Sequence, residues 1–179
     1  MESVPARHAA KNHFMEISLK DAVPGLYLLG EKIMTMETRE LQSDEFYLAE
    51  HLWERYHGQK ADPVHDRIFG VFIDGKLAAS ARYVKHADGV EMDCVFVPEP
   101  EGGKGYARDA VEDLVKHCGS EPIYIHSTLD LIPFYTSLGF SPIPEDQLPP
   151  SIKERFSFCL GNMQGCNISP MVRKGAVVG

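Results

Sequence analysis

The chain is short of the features that mark special classes of protein. It has one tryptophan and four cysteines in 179 residues. Cys94, Cys118, Cys159 and Cys166 form no CxxC pair and no zinc spacing with histidine, which excludes a zinc module as the organising principle. No apolar run approaches the roughly 18 to 20 residues that span a bilayer, so no membrane partner is expected. The N-terminal stretch lacks the charged-then-apolar order of a secretory signal, and reduced thiols in a cytoplasm are expected. Positive charge is also scarce. Lys plus Arg number 18 against 26 Asp plus Glu, a net charge of −8. Such a chain lacks the basic face that neutralises phosphates, so nucleic acid is not the expected partner. The acidity leans toward a cationic substrate such as an amine, although acidic surfaces also serve solubility. There is no internal repeat and no low-complexity tract.

What is present has ordinary globular composition, 44% hydrophobic and 25% charged, at a length that suits one domain. Residues 1–30 carry little periodicity and read as a partly disordered N-terminal extension, with residues 31–179 as the domain. A first strand is placed at 31–38. Ser43 then offers an N-cap, and Phe46, Tyr47, Ala49, Leu52, Trp53 and Tyr56 fit the core face of a helix that Gly58 stops. Three strands follow, Arg67–Ile73, Lys76–Lys85 and Val90–Val97. The turns Asp74-Gly75 and Asp88-Gly89 join them into an antiparallel meander, because Asp-Gly accepts the positive φ of a tight hairpin. After a glycine-rich loop, Ala107, Ala110, Val111, Leu114, Val115 and Cys118 recur at helical spacing, and Gly119 ends the helix. A strand at 122–126 completes a β-α-β unit, whose two strands must run parallel. A short helix at 130–138 carries Pro133 in its first turn. Strands are placed at 140–143 and 168–173, with a proline-rich loop at 144–151 between them. The fold class is therefore α/β: a central mixed sheet, an antiparallel meander followed by a β-α-β unit, and helices on both faces.

Gly102, Gly103 and Gly105 stand between a strand and a helix. Glycine lets the backbone turn tightly and approach a ligand, and the open N–H groups of a helix start make an anion site. A diphosphate is the guest this suits, although a plain strand-to-helix turn has the same composition. A Walker loop is excluded because Lys104 is followed by Gly105 instead of Ser or Thr. A dinucleotide fingerprint is excluded because Gly103-Lys104-Gly105 is followed by Tyr106-Ala107-Arg108, without the third small residue.

These residues resemble the GNAT acetyltransferase superfamily, whose phosphate loop reads Q/R-x-x-G-x-G/A after a strand ending in V-x-x. Val97 ends the strand, Gly105 takes the obligatory glycine and Ala107 the G/A place, while Gly102 departs from Gln or Arg. A later family motif, A-x-x-F-Y-x-K-x-G-F, is similar to Leu131-Ile132-Pro133-Phe134-Tyr135-Thr136-Ser137-Leu138-Gly139-Phe140. It keeps Phe-Tyr and Gly-Phe, with Ser137 in the Lys place and Leu131 in the Ala place. The resemblance covers residues 31–143. It implies acetyl-CoA as acyl donor, with no metal, and a primary amine as acceptor, on a small molecule or a protein. Its phosphates would lie on Gly102, Gly103, Lys104, Gly105, Tyr106, Ala107 and Arg108. Its pantetheine arm would lie along Val95, Phe96 and Val97, where that strand splays from the strand at 122–126.

Direct attack of an amine on the thioester needs a base, an oxyanion donor and an acid near sulfur. The resemblance gives Tyr135 as the acid, since a phenol with a reference pKa near 10 can protonate a forming thiolate, and also places it against the cofactor. The bland alternative is a core tyrosine. Glu91 stands where some family members carry a glutamate base, and strand alternation puts Glu91, Asp93, Val95 and Val97 on one face. Asp93 and His126 remain alternative bases, as does an ordered water chain. The rival reading is a GNAT-fold module that binds acyl-CoA as a sensor without turnover. His51, His57 and His65 match no metal spacing. The alternate aromatics of Arg155–Leu160 suit an extra strand or helix over the site, or a homodimer contact, and the pattern does not choose among them.

Overall fold

The computed structural model describes residues 25–29, 32–54, 58–155 and 168–175. They form an eight-stranded sheet in the order β1-β2-β3-β4-β5-β6-β8-β7. The strands are β1 (Leu26–Leu29), β2 (Lys32–Glu40), β3 (Asp66–Ile73), β4 (Lys76–Lys85), β5 (Val90–Phe96), β6 (Ile123–Thr128), β7 (Ser141–Pro142) and β8 (Ile168–Arg173). The helices are α1 (Phe46–Trp53), α2 (Tyr106–Cys118) and α3 (Ile132–Thr136). A further helical segment covers residues 150–155.

The meander β3-β4-β5 is antiparallel, and β5 pairs with β6 in parallel, as the β-α-β pattern requires. Of the extension expected over residues 1–30, residues 26–29 are strand β1, paired with β2, and residues 1–24 lie outside the described residues. The expected helix start at Ser43 is instead a 3-10 turn, Ser43–Glu45. Its entry is held by the Glu45 carboxylate, which accepts the Gln42 N–H at 2.9 Å. α1 then buries Phe46, Ala49 and Trp53, while Tyr47, read as a core residue, is exposed because it lies on the opposite side of the helix. Tyr56 lies outside the described residues.

Both faces of β3 are apolar, which is why its alternation is faint in the sequence. Phe69 and Val71 pack with Ala110, Val111 and Leu114 of α2. Ile68 and Phe72 pack with Phe46, Ala49 and Trp53 of α1. Burying each large aliphatic side chain contributes about 1.5–3 kcal/mol. These two apolar layers hold β5 rigidly between them.

Strand β5 itself breaks alternation. Arg82 pairs with Asp93 but Ser80 pairs with Phe96, so β5 carries one residue more than β4 over that interval. Cys94 takes up the extra residue at φ +46°, the left-handed region. The expectation that Glu91 and Asp93 share a face with Val95 and Val97 is therefore corrected. Val90, Met92, Val95 and Val97 pack on the α2 side, while Cys94 and Phe96 pack on the α1 side. Glu91 and Asp93 face that second side, where they meet charged partners.

Candidate active site

Strands β5 and β6 are in register only at Val90↔Ile123 and Glu91↔Tyr124. Beyond that point β6 stays paired to β8 as far as Thr128, and β5 runs on to Phe96 beside β4. The two strands thus part just past Glu91, and the glycine loop follows the open end of β5.

The loop begins as a 3-10 turn, Glu99–Glu101, closed by the Gly102 N–H on the Glu99 carbonyl at 3.0 Å. A Cβ on Gly102 would lie 3.2 Å from that carbonyl, which gives a physical reason for the departure from Gln or Arg. Gly105 sits at φ +88° as the N-cap of α2 with open space around it, so conformation alone demands glycine there. Arg108 and Asp109 donate to the Gly105 carbonyl at 2.9 and 3.2 Å. Helix geometry leaves the N–H groups ahead of them without an intrahelical acceptor, and this cradle fits a diphosphate.

The side chains of the loop serve other ends. Tyr106 is buried in the α2 core, with the Lys104 ammonium 5.9 Å over its ring. The Lys104 ammonium pairs with Glu101 at 2.7 Å, and that bond raises its pKa. The Arg108 guanidinium donates to Ser137 Oγ at 2.7 Å and lies over the Phe134 ring, tying the first turn of α2 to the end of α3. Between these anchors Tyr135 is 7% exposed, edge-on to Phe134 at 5.0 Å and to Phe140 at 5.8 Å.

The α1 side of β5 carries a buried charge cluster. Arg82, 3% exposed, makes a bidentate pair with Asp93 through two bonds of 2.6 Å. It also donates to the Lys60 carbonyl at 2.8 Å and to Gln59 Oε1 at 3.2 Å, and lies 3.4 Å from Asp66. Arg155, from the helical segment, bonds Asp93 and lies 3.5 Å from Glu91. Glu91, 6% exposed, accepts from or donates to His86 Nε2 at 3.0 Å, according to the protonation of the pair, and stands 3.9 Å from His126 Nδ1. Burial pushes the Glu91 carboxyl up, but His126, Arg155 and His86 outweigh it and hold it below the usual carboxylate range. Burial keeps Asp66 above its ordinary value and Cys94 far above that of a reactive thiol. A cleft of about 490 Å³ opens beside the cluster, with Asp66, Arg82, His86 and Arg155 in its wall.

The structure thus brings Glu91, Asp93 and His126 together and puts Tyr135 on the opposite layer with the loop. Phe96 packs against the α1 cluster, so its backbone alone lines the gap. His65 pairs with Asp62 and His51 with Glu54, both near the surface. His57, Cys159, Cys166 and the aromatics at 156 and 158 lie outside the described residues. Sequence reasoning missed Arg82, His86 and Arg155. The first had a signal: a hairpin closed by Asp88-Gly89 sets Lys85 opposite Val90, and counting back places Arg82 opposite Asp93. His86 and Arg155 had none, because Arg155 reaches Asp93 across 62 positions of chain.

The model of the acetyltransferase (GNAT) family matches residues 32–140, well over half of the chain. Among solved structures, the ribosomal-protein-S18-alanine N-acetyltransferase of Escherichia coli is similar in fold: TM-score 0.59, 18% identity, covering 81% of this chain and 97% of that one. Escherichia coli ElaA aligns with TM-score 0.58 and 17% identity, covering 78% of this chain and 100% of that one. The N-acetylglutamate synthase of Neisseria gonorrhoeae, complexed with coenzyme A and N-acetyl-glutamate, aligns with TM-score 0.60 and 18% identity over 79% of this chain, which spans 35% of that protein. No curated protein sequence matches. Among the described residues no helix is long and apolar enough to cross a membrane.

Proposed function

The chain belongs to the GNAT acetyltransferase family, and on that premise we propose that it moves an acetyl or similarly short acyl group from acyl-CoA to a primary amine by direct attack. The observation that carries this reading is the parting of β5 and β6 beyond Glu91↔Tyr124, next to a glycine-formed helix start. A pantetheine arm would run along the backbone of Val95, Phe96 and Val97, on the side of β5 where its pairing with β6 has ended. The backbone of residues 103–107, at the start of α2, serves its phosphates.

The bound thioester supplies the activated acyl group; the chain supplies the proton traffic. Glu91, at the last β5–β6 pair and held below the usual carboxylate range by its partners, is the proton acceptor we assign. Tyr135, packed between Phe134 and Phe140, is the acid we assign to sulfur. A neutral amine is required for attack, and an acceptor of either size, free or on a protein, meets that need. N-acetyltransferases of this fold act on a ribosomal protein in one case and are complexed with N-acetyl-glutamate in another, which supports keeping both classes.

The test is a thermal melt with acetyl-CoA, followed by thiol release on adding amines. At a hundredfold excess over Kd, binding adds about 2.7 kcal/mol, a rise of roughly 5–10 °C for a domain of this size. A shift with both acetyl-CoA and CoA supports the reading. No shift with either reduces the loop to a turn and removes the acyltransferase assignment.

A further inference from the structure

The charges clustered beside Glu91 do not balance. Three carboxylates, Asp66, Glu91 and Asp93, meet two guanidinium groups, Arg82 and Arg155. One negative charge remains, and two imidazoles flank it at Glu91. The surplus carboxylate thus has two imidazoles as its neighbours for passing a proton.

The two imidazoles lead to different places. His126 belongs to β6, past the point where β5 and β6 separate, and stands at Glu91 Oε1. His86 belongs to the turn between β4 and β5, bonds Glu91 Oε2 at 3.0 Å, and forms part of the wall of the 490 Å³ cleft. Its side chain is 15% exposed, against 7% for Glu91. A line of titratable groups therefore runs from the interstrand gap, through Glu91, to the cleft.

We infer that His86 is the outlet of this line: it takes from Glu91 the proton that the acceptor amine gives up and releases it to solvent in the cleft. This rests on the acyl-transfer reading above. An ammonium acceptor loses two protons on becoming an amide. One N–H proton ends on the sulfur as the C–S bond breaks and the C–N bond forms. The other leaves by Glu91 and His86, so that Glu91 is ionised again for the next turnover. His86 acts through Glu91 and is a positioning and relay residue, without contact to the substrate.

The surroundings of His86 are mixed in charge. The acidic groups are Glu91 of β5, Asp88 of its own turn and Asp66 of β3. The basic ones are Arg155 of the helical segment, with Lys85 and Arg82 of β4. Lys60, Asp62 and His65 close the cleft on the far side, Lys60 being held by Glu50 and Asp62 by His65. His126 touches the same carboxylate from the gap side.

The experiment uses the full chain with His86→Ala, His86→Gln and Glu91→Gln. Thiol release from acetyl-CoA is followed against pH with a pool of simple primary amines. His86→Ala is expected to lose turnover by about 10-fold or more near neutral pH and to keep the acetyl-CoA melting shift. Added imidazole, entering the cleft, is expected to restore much of the rate, which no purely structural role would produce. In parallel, the His86 imidazole is titrated by NMR in wild type and Glu91→Gln, a measurement that needs no acceptor. Its midpoint is expected to fall by about a factor of ten in proton affinity when Glu91 is neutralised. An unchanged His86 midpoint in Glu91→Gln overturns the relay, as does an unchanged rate and pH profile in His86→Ala or a loss that imidazole leaves unrepaired. If His86→Ala does not fold, His86→Gln and the titration decide. Absence of any acetyl-CoA melting shift in wild type instead sinks the acyl-transfer reading, and with it the relay, even where the titration shows the pair coupled.

Discussion

The side of β5 that meets α2 is apolar, whereas on the side that meets α1 an apolar cluster lies next to a group of charges. Towards α2 the buried set is almost wholly apolar: Val90, Met92, Val111, Leu114, Ile123 and Ile125 close over Tyr135. Towards α1 the same strand presents Glu91 and Asp93 to Arg82, Arg155 and two histidines. Burial on the first side stabilises without further conditions. On the second, it depends on hydrogen bonds that join the carboxylates to guanidinium groups and imidazoles. The bulge at Cys94 lets one strand serve both, since it returns Val95 and Val97 to the apolar side after two carboxylates have faced away.

That contrast can be broken most directly at Arg82. Arg82→Leu leaves Asp66 and Asp93 buried without their main partner and is expected to cost about 3–5 kcal/mol, read as a lowered urea midpoint. An apolar substitution of similar size on the α2 side, such as Leu114→Met, is expected to cost under about 1.5 kcal/mol. Equal losses would mean that the charge cluster is no more demanding than the core. Tyr135→Phe comes next. It should leave the fold and the acetyl-CoA melting shift intact while slowing thiol release by about 100-fold. Full retained turnover would return Tyr135 to the role of a packed ring.

Gly105→Ala sharpens the comparison at the loop. Nothing crowds the new methyl group, so the penalty is purely the left-handed backbone, about 1–2 kcal/mol, together with a weaker hold on CoA in calorimetry. The smallest effect lies in acid. Arg39 bonds the Glu45 carboxylate twice at 2.7 Å and, helped by the Gln42 N–H, lowers its pKa to about 2. A folded pKa below the unfolded one contributes stability that is complete above about 4.5 and is lost as pH falls toward about 2. Glu45→Gln is therefore expected to flatten the acid limb of the stability profile by about 1 kcal/mol or less, since the pair is partly exposed.

Turn chemistry and helical periodicity made most of this fold legible. The Asp-Gly pairs fixed β3, β4 and β5 to within a residue, and Gly119 and the Ala110–Leu114 stripe fixed α2. The parallel pairing of β5 with β6 followed from the helix between them. What stayed hidden depends on contacts between distant parts of the chain. No local rule announces an extra residue at Cys94, so strict alternation assigned Glu91 and Asp93 to the wrong side. The insertion of β8 between β6 and β7 is likewise a matter of tertiary pairing. At the candidate site, the loop glycines and the Phe134-Tyr135 pair could be named from motifs alone, whereas the partners that set the state of Glu91 could not.

The single tryptophan of the chain stands at the meeting point of these features. The Trp53 indole N–H donates to Ser80 Oγ at 3.0 Å, that hydroxyl reaches the Cys94 carbonyl, and the Arg82 guanidinium lies 5.1 Å over the ring. The molecule therefore carries its own optical reporter. With no label and no competing indole, the emission wavelength of Trp53 follows the charge above it and the strand kink beneath it, and can be watched as ligands, protons or denaturant act on the cluster.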